Sequence, residues 1–312
     1  MQVRRIELPT PFPVGPVNAY LLLGTPLTLV DAGPKTEIAQ AALEAGLERE
    51  GHRVEDIRRI VLTHGHSDHF GNAHWVATRS GAQVFAHPSD RPKFAGERWG
   101  IDHLRTHFLA AGLPESFLKA FTERMRAMRH LFDAVPEFQP LNDGDGLELN
   151  GDQWRVLHCP GHSLGHICLY HDDGILVAGD LLLEEISPNP IVEFDERGER
   201  IPTLPQYLHS LRRVLLLNCD VAHPGHGGPI ANPSARIREL IAHHEQRKEA
   251  IHGRLDRQGK TLLQLCQELY QTQDELNLML ALSEVIGHLD LLLDEKRVAV
   301  SLKDGILLFR AK

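Results

Sequence analysis

The amino-acid sequence predicts a mixed α/β (α+β) fold, a strand sandwich covered by helices, and three observations predict it. Short apolar runs of strand length alternate with helix-period stretches along most of the chain. Several of those runs come in pairs separated only by turn residues, as hairpins do and as a purely parallel sheet does not. The end of the chain then changes in kind, to two amphipathic helices followed by a hairpin.

Taken in order, residues 18 to 24 and 27 to 33 read as paired strands of a buried sheet. Residues 36 to 50 repeat Ile38, Ala41, Leu43 and Leu47 among Glu and Gln and so predict a helix. Residues 57 to 62 supply a short strand, 72 to 79 a short helix and 83 to 86 another strand. From 88 to about 132 the chain turns helical and rich in His, Arg and aromatic residues, a helical insertion spanning 88 to 135. Strands are expected at 147 to 149, 154 to 157, 167 to 170 and 175 to 178, the last pair turned at Asp172 and Asp173. Helices at 203 to 217 and 233 to 257 flank the loop from Ala222 to Gly228. Residues 261 to 270 and 274 to 293 read as two helices, and 298 to 302 with 306 to 309 as a hairpin turned through Lys303, Asp304 and Gly305. Helix, helix, wing is the pattern of a winged helix. The expected division is therefore a domain over 1 to 235, carrying the insertion, and a connecting helix with a winged-helix-like domain over 236 to 312.

The bulk properties narrow the function. A chain of 312 residues with 42% hydrophobic and 24% charged side chains has the composition of a soluble globular protein. No apolar run is read as approaching the roughly 18 to 20 residues that span a bilayer, and the first six residues run into Pro9, Pro11, Pro13 and Pro16. The expectation is a protein neither exported nor membrane-embedded, with no membrane partner. Cys159, Cys168, Cys219 and Cys266 form no CxxC pair and suggest no disulfide framework, which fits a reducing cytoplasm. The formal charge of −9 disfavours nucleic acid as the main partner, because affinity for a polyanion comes mostly from Lys and Arg. Residues 236 to 312 carry twelve bases and twelve acids, so the charge lies in 1 to 235, where 21 bases face 30 acids. A neutral tail is expected to pack or dimerise rather than bind nucleic acid, and a homo-oligomer is compatible with it.

Histidine is the excess residue, 20 in 312, and its placement points to metal. In the run Thr63-His64-Gly65-His66-Ser67-Asp68-His69, four candidate ligands lie just past a strand end, where a tight loop can aim several side chains into one volume. Zinc takes imidazole and carboxylate ligands at about 2.0 to 2.2 Å, and a catalytic site leaves a position to water. Three further candidates stand in Gly-flanked loops at strand ends: His162 in Pro160-Gly161-His162-Ser163, Asp180 after Gly179, and His226 in Pro224-Gly225-His226-Gly227. Five histidines and two aspartates suit two metals sharing one carboxylate.

The HxHxDH run, the PGH loop, the GD step and the final PGHG, in this order over residues 18 to 228, resemble the metallo-β-lactamase-fold hydrolase superfamily. The resemblance implies an αββα sandwich with the metals at one edge of its sheets. It implies that His64, His66 and His162 hold a first divalent ion and Asp68, His69 and His226 a second, bridged by Asp180. Asp31 is expected to order the ligand loop by hydrogen bonding, and His166 to hydrogen-bond a ligand or the substrate. Zinc is the expected ion, with iron and manganese suiting the same ligands.

The expected enzyme is a hydrolase whose nucleophile is a metal-bridging hydroxide, with Asp68 as its catalytic residue and a small-molecule substrate. Antibiotic hydrolysis is disfavoured, since the cysteine-ligand class lacks the carboxylate that stands here at Asp180. A thioester or ester substrate, as in glyoxalase II or an acyl-CoA hydrolase, is the leading expectation, because a thiolate leaving group needs little protonation. The alternatives are an endoribonuclease or phosphodiesterase and a low-activity metal-binding regulatory protein. The insertion is a candidate lid, and Arg91, Lys93, Arg98, Arg105, Arg124, Arg126 and Arg129 offer cationic contacts to an anionic substrate.

Overall fold

The computed structural model describes residues 3 to 97, 101 to 270 and 274 to 312. These divide into two compact units, one of Met1–Glu97, Arg129–Pro188 and Ser210–Ile237, the other of Arg98–Met128, Asn189–His209 and Arg238–Lys312. The middle of the insertion thus groups with the end of the chain. The reason is a shared core, in which Phe108, Ala111, Leu113 and Leu118 pack with Leu262, Leu265, Leu282, Val285 and Phe309.

The first unit is built on two sheets. One has six strands in the order Val3–Leu8, Val17–Leu22, Thr28–Val30, Arg59–Val61, Gln83–Ala86 and Gln139–Pro140. The other has five, in the order Val221–Pro224, Ile175–Gly179, Ile167–His171, Asp152–His158 and Gly146–Leu149. Successive side chains on a strand point to opposite faces, and Val17–Leu22 is buried throughout, so it has two apolar faces to cover. Tyr20 and Leu22 pack against Trp154, Val156 and Leu169 of the second sheet. Ala19 and Leu21 pack on the other side with Leu43 and Leu47 of the helix Glu37–Arg49 and Val76 of Ala73–Ser80. Burial of each large apolar side chain here is worth roughly 1.5 to 3 kcal/mol, so both faces contribute to holding the strand ends that carry the histidines.

The strand Val3–Leu8 is not legible in the sequence. Only Ile6 and Leu8 are buried, and the prolines that follow mask a period of two. Gly46, on the helix beside it, has no room for a Cβ, which would stand 2.3 Å from Ile6.

The second unit is mostly helical among its described residues, with Ile101–Ala110, Glu115–Ala127, Leu262–Leu269 and Glu275–Asp294, and a hairpin of Val298–Lys303 and Ile306–Ala311. Lys303 pairs with Ile306 across Asp304 and Gly305, which take φ of 52° and 79°. Two left-handed residues in a two-residue loop match the twist of the flanking strands. Thr261 caps Leu262–Leu269 reciprocally with Gln264. One sequence expectation is corrected: Glu275–Asp294 is long and apolar enough to cross a membrane by length and composition, with mean hydropathy 1.5. Of that window 67% is buried inside the protein, which is how a core helix reads.

Candidate metal centre

The candidate ligands arrive at the ends of strands. His64, His66, Asp68 and His69 follow Arg59–Val61, His162 lies between Asp152–His158 and Ile167–His171, Asp180 follows Ile175–Gly179, and His226 follows Val221–Pro224. Main-chain bonds join the two sheets at this edge, Ile167 N to Thr63 O at 2.8 Å and Asn18 N to Gly225 O at 2.7 Å. All seven side chains come together there.

Three groups could each hold an ion by the closeness of their ligand atoms: His64, His66 and His162; His64, His69 and Asp180; and Asp68, His69 and His226. In the first, His66 Nδ1 lies 2.9 Å from His64 Nε2 and 3.0 Å from His162 Nε2. Burial, then the neighbouring His69, His66 and His162, pushes His64 well below the usual imidazole range. Burial and His162 do the same to His66. Neutral imidazoles of this kind can each offer a lone pair to a cation. In the last group, Asp68 Oδ2 lies 3.5 Å from His226 Nε2.

Asp180 stands between the groups, with Oδ1 3.4 Å from His69 Nε2 and Oδ2 3.4 Å from His162 Nε2 and 3.7 Å from His226 Nε2. Burial alone would raise its carboxyl, but His69, His226 and His162 hold it well below the usual range. Burial opposes a proton on His69, and Asp180, Asp31 and Asp68 outweigh it and raise the imidazole. His69 Nε2 and Asp180 Oδ1 are buried with no hydrogen-bond partner. Buried polar atoms are otherwise almost always satisfied, and a cation at this point would satisfy both.

Three of the candidate ligands, His69, Asp180 and His226, are held from behind. Asp31, at φ 59°, accepts from Thr63 N at 2.8 Å, from Thr63 Oγ1 at 2.7 Å and from His69 Nδ1 at 2.7 Å. The left-handed backbone at a non-glycine residue costs on the order of 1 kcal/mol and is kept where the surroundings over-determine it. His166 Nε2 accepts from Asp180 N at 3.0 Å. His226 Nδ1 donates to Pro16 O at 2.8 Å, which turns Nε2 inward. Orientation of a ligand ring through its second nitrogen is the usual means of fixing its tautomer.

The sequence reading missed the residue that ties the two histidine loops together. Asp90, fully buried, accepts from Gly65 N at 2.8 Å, from Gly165 N at 2.9 Å and from the Ser163 hydroxyl. Lys93 Nζ donates to Ser163 Oγ at 2.6 Å and lies 3.3 Å from Asp90. Asn18 and Tyr20 were also missed. Asn18 Nδ2 donates to Pro224 O and Gly227 O, both at 2.9 Å, and the Tyr20 hydroxyl donates to Pro224 O at 2.6 Å. A lone Asp or Asn carries no motif.

Most of the insertion cations have partners, Lys93 among them. Arg105 pairs with Glu115 and Arg124 with Asp274, while Arg91 stacks 4.3 Å over Phe138 and Arg129 donates to Gly96 O. Arg98 lies outside the described residues. Lys93 is the cation beside a ligand loop, its stem packed against Gly65.

Clustered imidazoles and carboxylates at one edge of two face-packed sheets define a metal-dependent hydrolase. The chain belongs to the metallo-beta-lactamase superfamily, whose family profile matches residues 12 to 226. It is 35% identical over 299 residues to a probable metallo-hydrolase, YqjP, of Bacillus subtilis, covering 94% of this chain and 92% of that protein. The crystal structure of a metallo-beta-lactamase family protein from Thermus thermophilus superposes with a TM-score of 0.85 at 33% identity, over 99% of this chain and 98% of that one. An atrochrysone carboxyl ACP thioesterase of Aspergillus fumigatus is 26% identical over 155 residues, covering 49% of this chain and 44% of that enzyme.

Proposed function

We propose that the chain is a dinuclear hydrolase of a thioester or ester, with His64, His66 and His162 holding one ion, Asp68, His69 and His226 the second, and Asp180 reaching both. Zinc suits this set of imidazoles and carboxylates, and iron or manganese would accept it. The observation that carries the reading is the meeting of the two groups at Asp180, with His69 Nε2 and Asp180 Oδ1 left without hydrogen bonds.

Bound there, the ions would supply a water of lowered pKa and polarise the acyl oxygen. The chain supplies orientation. Asp68 has the most exposed carboxylate of the group, its side chain 12% exposed against 9% for Asp180, so it faces arriving water and accepts its hydrogen bond. Asp31, His166 and Asp90 hold the ligands and loops and touch no substrate.

A thioester fits better than an amide or phosphodiester because the histidines and aspartates gathered here are either ligands in this reading or committed to holding them. None is left over to protonate a poor leaving group, and a thiolate needs little protonation. The partial likeness to a fungal ACP thioesterase accords with this chemistry. Lys93, 26% exposed beside the His66 loop, places positive charge where an anionic acyl carrier would arrive.

Metal analysis followed by a panel of S-lactoylglutathione, acyl-CoAs, a lactone, bis(p-nitrophenyl) phosphate and single-stranded RNA tests the proposal. Turnover of thioesters is expected; turnover confined to the phosphodiester or RNA would sink it.

A further inference from the structure

A second cluster of ligand-type side chains lies within the helical unit. His244 stands on the helix Pro233–His252, and Glu284 and His288 stand four residues apart on Glu275–Asp294, hence on one face of it. Both histidines are fully buried, and the Glu284 side chain is 12% exposed. His288 Nδ1 lies 2.7 Å from the Glu284 carbonyl oxygen. A carbonyl can only accept, so the proton is on Nδ1 and Nε2 carries a lone pair. That Nε2 accepts from His244 Nδ1 at 3.3 Å, a proton that a bound ion would displace, and Glu284 Oε1 lies 3.7 Å from the same His244 nitrogen. One ligand atom from each of the three residues lies within 4.8 Å of the others.

We infer that His244 Nδ1, His288 Nε2 and the Glu284 carboxylate bind a divalent ion of the zinc class, at a structural site separate from the histidine-run cluster. Bond lengths of about 2.0 to 2.1 Å in a tetrahedron put neighbouring ligand atoms about 3.3 Å apart, which is the separation of the two nitrogens. The backbone carbonyl behind His288 is the kind of partner that orients a metal-binding imidazole and fixes its tautomer. Three protein ligands would leave the fourth tetrahedral position to water.

Arg247 is the cation that faces the cluster, acting on His244, Glu284 and His288, with its guanidinium 5.5 Å over Tyr270. One carboxylate therefore serves both a guanidinium and an ion, and the site should bind more weakly than the aspartate-rich cluster of the first unit. Its ion would join two helices of one core, so its effect belongs to stability.

Zinc content per chain, measured on the whole protein equilibrated with the metal, tests this. Glu284→Gln and His288→Asn should each lose one equivalent relative to the wild-type protein and lose the zinc-induced rise in unfolding temperature. A chain carrying His64→Ala, His69→Ala and Asp180→Ala, which takes a ligand from each group of the first cluster, should still bind one equivalent, and its cobalt form should show tetrahedral absorption that Glu284→Gln abolishes. Equal zinc content in wild-type and Glu284→Gln proteins, or no ion in the His64→Ala, His69→Ala, Asp180→Ala chain, would overturn the inference.

Discussion

The Oδ2 atom of Asp31 lies 2.7 Å from Nδ1 of His69, and the same oxygen accepts the Thr63 hydroxyl at 2.7 Å. The carboxylate thereby fixes both ends of the histidine run's entry and points His69 Nε2 at Asp180. Asp31→Asn keeps the shape but turns an acceptor into a donor facing the ring. Metal affinity at the Asp68, His69 and His226 group should fall about 10- to 100-fold, as loss of such a partner typically does. Chelator competition would read this, and unchanged affinity would remove Asp31 from the account.

Asp90 makes the corresponding prediction for the other loops. Asp90→Ala strands Gly65 N, Gly165 N and the Ser163 hydroxyl in a buried space. Unsatisfied buried donors cost about 1 to 3 kcal/mol each, so the unfolding free energy should drop by roughly 3 kcal/mol or more. Ser163→Ala, which removes one donor together with its partner bond, should cost less. Denaturant unfolding of the two variants side by side gives the comparison, and equal losses would contradict the shared role assigned to Asp90.

A single methyl group should be enough to disturb the metal cluster. A Cβ on Gly225 would stand 2.0 Å from Asp180 Oδ1 and 2.7 Å from the His69 ring. Gly225→Ala should therefore displace the carboxylate and reduce zinc content. A Cβ on Gly253 meets only ordinary contacts at 3.5 Å and beyond, so Gly253→Ala should leave zinc unchanged. Elemental analysis distinguishes the two.

Stability should fall in mild acid. Burial and the stacked His158 hold His87 down to about 4, and burial and Arg200 hold His107 down to about 4. In the unfolded chain both titrate near 6.5. The unfolded state thus binds more protons between pH 6.5 and 4, and stability that is full above about 6.5 declines through that window. Each histidine should contribute on the order of 2 kcal/mol to the decline. Unfolding midpoints from pH 7 to 4 should show it, with a shallower slope in His107→Phe; an unchanged slope would contradict the assignment.

The parts of this molecule that were legible in the sequence are those written in short spacings. His64 to His69 announce a site because four candidate ligands fall within six positions, and Asp304-Gly305 announces a turn because both residues tolerate left-handed backbone. Asp90 was illegible because its partners lie at 65, 163 and 165, brought near only by the packing of two sheets. Glu284 and His288 passed as polar positions of an amphipathic helix, since nothing near them in sequence names His244 as their neighbour. The grouping of 98–128 with the chain's end rests on Phe108 and Leu118 sharing a core with residues more than a hundred positions away.

The cluster around Asp180 should cleave thioesters only with metal bound. Hydrolysis of an acyl-CoA should be measured on metal-loaded wild-type and Asp180→Ala proteins, before and after chelation. The account predicts turnover by the wild-type protein alone, abolished by chelator and restored by zinc. Thioester turnover that survives both chelation and the loss of Asp180, or a fully loaded wild-type protein that leaves every thioester intact, would contradict it.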